Sequence, residues 1–138
     1  MSDLDSVREL LRTLAEVRDG PFYALWAKLP RHSGRPMPRF DFRIYQVADG
    51  TDASLNIGVS VTRSDFAEVS WGVSLITTPK SFVVTASVEI LDGDNIQEVF
   101  ARSADTRDSR EAARLIRQFA DEACAELGPL ADEVDKEA

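Results

Sequence analysis

The chain has 138 residues, 43% apolar and 29% charged, and a net charge of −8 from 16 cationic and 24 acidic side chains. That length suits one domain with its own core, and the composition excludes a collagen-like repeat, a membrane-spanning protein and a wholly disordered chain. The negative balance repels nucleic acid and anionic membrane, so neither is an expected partner.

Residues 4–18 have helical spacing. Leu4, Val7, Leu11 and Leu14 recur every three or four positions, and Leu10 and Val17 widen the stripe. Ser6 and Glu9 have capping-box spacing, and Ser2 or Asp3 offers an earlier start. Asp19-Gly20-Pro21 is the expected stop, because glycine takes the left-handed C′ conformation readily and proline cannot continue the hydrogen-bond ladder. A second short helix is expected from Pro21, with Phe22, Leu25, Trp26 and Leu29 on one face. Two turns are marginal alone, so this helix must dock on something. Pro30 to Pro38 holds three prolines and a glycine, which predicts a loop.

Five alternating runs follow. In 39–47, Phe40, Phe42 and Ile44 alternate with Arg39, Asp41, Arg43 and Tyr45. Runs 54–62, 67–76 and 82–91 set Leu55, Ile57, Val59, Val61, then Val69, Trp71, Val73, Leu75, then Val84, Ala86, Val88 against mostly small polar residues. Run 96–102 leaves open whether Ile96 and Phe100 or Val99 and Ala101 face inward. Asp49-Gly50, Thr78-Pro79-Lys80-Ser81 and Asp92-Gly93-Asp94-Asn95 mark turns. The last helix is expected at about 109–127, opened by Asp108 and Glu111 and ended by Gly128-Pro129, with 130–138 a frayed acidic tail. The predicted architecture is α+β in the order α-α-β-β-β-β-β-α: an antiparallel five-stranded curved sheet, a meander, with N-terminal helices and a C-terminal helix packed on one face. The whole of 1–138 reads as a single domain.

Chemistry is sparse. His32 is the one histidine and Cys124 the one cysteine, so neither a two-histidine metal site nor an internal disulfide can form within a chain. Cys124 lies beside an apolar stripe, where core packing is the expected role. No metal-ligating, phosphate-cradling or nucleophile-elbow motif occurs, so no catalytic residue, no metal and no cofactor is expected. The acidic N-terminus lacks a signal-peptide pattern, and no apolar run spans a bilayer, which together point to the cytoplasm.

Two features suggest binding. Lys28 to Arg43 carries five cations and one acid, net +4, while the rest of the chain is −12. Arg39, Arg43 and His32, with Trp26 nearby, are candidates for gripping an anionic ligand at the edge of a pocket between the 22–29 helix and the sheet. Asn56, Ser60, Ser70, Ser74, Thr85 and Ser87 would share an outward sheet face unusually poor in charged and bulky residues, onto which another protein or a second copy of the chain could settle. The favoured reading is a non-catalytic cytosolic module that binds a protein partner, of inhibitor, immunity or chaperone type, or a homodimer. The alternative is a small-molecule binder or hydrolase.

Overall fold

Period-two alternation dictates the sheet. The computed structural model describes residues 3–29, 38–46, 53–62 and 67–136. Strands β1 (Arg39–Gln46), β2 (Ala53–Thr62), β3 (Glu68–Thr77), β4 (Phe82–Asp92) and β5 (Asn95–Thr106) form one open antiparallel sheet in the order β1-β2-β3-β4-β5. The proline-rich loop at 30–37 with His32, and the Asp49-Gly50 turn, lie outside the described residues. Gly93 takes φ +60°, the left-handed conformation the β4–β5 turn requires.

Register puts most large apolar residues of the central strands on one face, while Ile76 and Val83 pair with each other on the opposite one. Ile57 lies opposite Val73, Val59 opposite Trp71, Trp71 opposite Val88, and Leu75 opposite Val84. All but Leu75 are no more than 1% exposed, and Leu75 is 5% exposed. The fifth strand resolves its own ambiguity with a bulge. Val88 pairs with Phe100 while Glu89 pairs with Glu98, so Val99 is the extra residue. The bulge shifts parity, turning Phe100 into the core and leaving Ile96 on the opposite face, 65% exposed.

The helices α1 (Asp3–Val17), α2 (Tyr23–Lys28) and α3 (Ser109–Lys136) supply the second layer. The longest, α3, lies on β3, β4 and β5. Its Ala112, Ala113, Ile116, Ala120 and Ala123 are at most 1% exposed, the four alanines presenting little bulk to the strands and Ile116 filling the space between them. Against α3 lies α1, fastened by Leu10, Leu14 and Val17 and, at the surface, by Arg117 reaching Glu16 at 3.4 Å and Glu9 at 3.9 Å.

Three helical expectations need correcting. Asp19-Gly20-Pro21 does not stop α1; the chain passes through a π-helical turn, Arg18–Phe22, straight into α2. The Tyr23 N–H reaches back five residues to the Arg18 carbonyl, and this wider turn accommodates Pro21 without a break. Phe22, fully buried where the π turn meets β2 and α3, anchors the continuation. Gly128-Pro129 does not end α3 either: the backbone is helical through Lys136, taking in much of the stretch read as a tail. Good helix formers on both sides carry the helix past the missing N–H. Finally, Leu4, Val7 and Leu11, read as part of the core stripe of α1, are exposed by 59%, 51% and 56%. The face that packs is Leu10, Thr13, Leu14 and Val17, one step around the helix.

Candidate functional site

The described helices all lie on the Trp71 side of the sheet. The opposite face carries Asn56, Ser60, Ser70, Ser74, Thr85 and Ser87 together, because Asn56 pairs with Ser74, Ser74 with Thr85, Ser60 with Ser70, and Gly72 with both Gly58 and Ser87. Ser60 is buried and the other five are half-buried, since flat neighbours shield short side chains. Hydrogen bonds tie part of this face together. Asn56 donates its amide N–H to the Ser54 hydroxyl at 3.2 Å and accepts from the Ser74 hydroxyl.

At the centre of this face the backbones of β2 and β3 approach closely. A Cβ at Gly72 would stand 2.7 Å from the Ile57 carbonyl oxygen, and one at Gly58 would stand 3.3 Å from that of Trp71. Only glycine fits the first position without movement.

Charge divides the face. Toward β1, Arg39 donates to a Glu68 carboxylate oxygen at 2.7 Å and to the Ser60 hydroxyl at 3.3 Å. Toward β5, Glu89 stands directly opposite Glu98, with exposed Asp105 farther along the same strand. Among the described residues no cation pairs with Glu89 or Glu98. Like charges facing each other across strands are destabilising, so this arrangement favours an incoming cationic group.

The anion-binding candidates do not assemble into one site. Arg39 is committed to Glu68 and Ser60 on the outer face. Trp26 is on the helical side, where its indole N–H donates to the Pro38 carbonyl at 3.0 Å and its ring meets Tyr23 and Phe40. Strand alternation separates them, because neighbouring Arg39 and Phe40 point to opposite faces. The register places Arg43 opposite Asn56, and His32 lies outside the described residues. The interface beneath the 22–29 segment is occupied: Phe22 is 0% and Leu29 3% exposed.

A hollow lies elsewhere, where sequence reasoning did not look. An open apolar groove of about 280 Å³ runs between α1 and the strand ends, lined by Val7, Leu10, Leu11, Leu55, Leu75 and Phe82 among others. Residues far apart in the chain make it, so no local pattern announces it. The one available signal was the excess width of the α1 apolar stripe.

Cys124 is half-buried, and burial pushes its thiol up to about 12, with Asp121 adding to the effect. The thiol therefore stays protonated at neutral pH, the wrong form for a nucleophile. Among the described residues no group of three or more His, Cys, Asp or Glu side chains is placed to hold a metal ion. Among them, too, no helix is long and apolar enough to cross a membrane. No protein-family model matches the chain, no curated protein matches its sequence, and no solved structure matches its fold.

Proposed function

We propose that this chain is a non-catalytic cytosolic module that binds a folded protein partner with a basic surface, using the helix-free face of its sheet. The observation that carries the reading is the composition of that face: small side chains over two close-packed glycines in the middle, and Glu89 facing Glu98 on one side. Short side chains let another backbone come near, and they lose little rotamer entropy on being covered. The acidic side, on a chain of net charge −8, steers a cationic surface toward it and supplies carboxylates for its Lys or Arg side chains. Inhibitors, immunity proteins and chaperones for basic partners all fit this chemistry.

The test compares the unaltered chain with the double variant Glu89→Lys, Glu98→Lys as baits in the same cell extract at low and high salt. A partner held by the first and lost by the second is then purified and titrated against both. The reading expects affinity to fall by about tenfold or more on charge reversal, since like-charge juxtaposition costs several kcal/mol. It also expects hydrogen-exchange protection over 70–74 and 85–89. Equal affinity for both baits, or protection confined to the helical side, would overturn it.

A further inference from the structure

The apolar groove beside α1 does not stand alone. It holds about 280 Å³, near the lower end of the range for small-molecule sites. Val7 and Leu11 flank it from the helix and Leu55, Leu75 and Phe82 from the strands, and no charged side chain of the described residues lines it. A second hollow, polar rather than apolar, adjoins it at Phe82. Ser81, the chain neighbour of Phe82, and Thr106, its cross-strand partner, line that hollow together with Lys80 and Arg107.

The two cations are uncommitted. Both are exposed, and among the described residues no acid pairs with either. The acids nearby are turned away or engaged. Asp105 also borders the polar hollow, but it stands opposite Val83, and strand parity puts that pair on the helix-free face, whereas Phe82 packs against the core. Asp108 caps α3, accepting from the Arg110 N–H at 3.0 Å, and Glu111 is bound to Arg114.

We infer that the groove binds a medium-chain fatty acid, its tail between α1 and the strand ends and its carboxylate between Lys80 and Arg107. An uncharged wall gives the tail a place away from water. The guanidinium fork and the ammonium at its end answer a carboxylate, and on a chain of net charge −8 two free cations beside an apolar trough select an anionic head over a neutral or cationic one. The small volume fits a single short chain and leaves no room for a sterol or a two-chain lipid. The site lies on the helical side of the sheet, away from the face that carries the proposed function, so the two are measured and fail separately.

Calorimetric titration of the full chain with decanoate, kept below the concentration at which it aggregates, tests the inference. One site per chain is expected, with decanoate bound about tenfold or more tightly than decanol, its neutral counterpart. Lys80→Glu combined with Arg107→Glu removes that preference and leaves decanol binding unchanged. Leu11→Asp, in the groove wall, weakens both ligands by about tenfold or more. All three positions are exposed, so far-UV circular dichroism is expected to be unchanged. Nuclear Overhauser contacts from the decanoate methylenes to the methyls of Val7, Leu11 and Leu55 in the native chain keep the test open even if a variant misfolds. Equal affinity for decanoate and decanol overturns the inference. So does the lack of a saturable decanoate site, tail contacts confined to the helix-free face, or a dimer of the chain that covers the groove and excludes decanoate.

Discussion

Two amphipathic helices cover the same sheet, and they use their apolar faces differently. The stripe of α3 is spent within the chain: Ile116 and Ala120 are 0% exposed, and Phe119 is 5% exposed. The stripe of α1 is divided. Leu10, Leu14 and Val17 lie in the core beside α3, while Leu4, Val7 and Leu11 face outward over a groove. Amphipathic periodicity shows which side of a helix is apolar. It does not show how much of that side a neighbour covers. An apolar arc wider than one neighbour can fill is itself a sign that something else belongs there.

The sharpest measure of this contrast is a pair of truncations. Ile116→Ala is expected to cost about 2–5 kcal/mol by urea denaturation, since it leaves a cavity beneath α3. Next in size is Gly72→Ala on the sheet beneath. Its Cβ would stand 2.7 Å from the Ile57 carbonyl oxygen, so strain of about 1–3 kcal/mol is expected, with less for Gly58→Ala at 3.3 Å. An unaffected Gly72→Ala would mean that the two strands are farther apart than described.

Alkaline pH probes α3 again. Burial raises the Cys124 thiol to about 12 from an ordinary 9.0, so the folded state holds this proton more tightly than the unfolded chain. The resulting stabilisation is complete below pH 9 and is lost as pH climbs from there toward 12. Melting temperatures of the native chain should therefore fall more steeply over that range than those of Cys124→Ala. Parallel curves would place the thiol in water.

The smallest effect belongs to α1. Leu11→Ala, measured without added ligand, is expected to change stability by no more than about 0.5 kcal/mol, as at other exposed sites. A loss as large as that of Ile116→Ala would erase the distinction between the two helices. A small loss that grows when decanoate is added would sharpen it, because it would locate the contribution of Leu11 in the bound ligand.

Much of this was legible in the residues. Alternation in 54–62, 67–76 and 82–91 names the buried face of each central strand, and short turns imply a meander; the register bears out both. The shared outward placement of Asn56, Ser74 and Thr85 follows from the same parity. The bulge at Val99 was hidden, because a one-residue insertion looks like ordinary ambiguity until a partner strand fixes the count. The punctuation at Gly20-Pro21 was legible but overruled, since burial of Phe22 against other elements outweighs a local preference for stopping.

By itself, then, the order of residues determined the elements, the sheet's two unlike faces and the absence of familiar catalytic motifs, because these depend on spacing along one segment. Only the tertiary structure decided that Trp26 and Arg39 part company across β1, that Glu89 confronts Glu98, and that half of α1 is left uncovered above a groove. Each of those depends on how far one packed element reaches across another, and that reach is set by side-chain volumes meeting across a layer rather than by any period within a strand or helix.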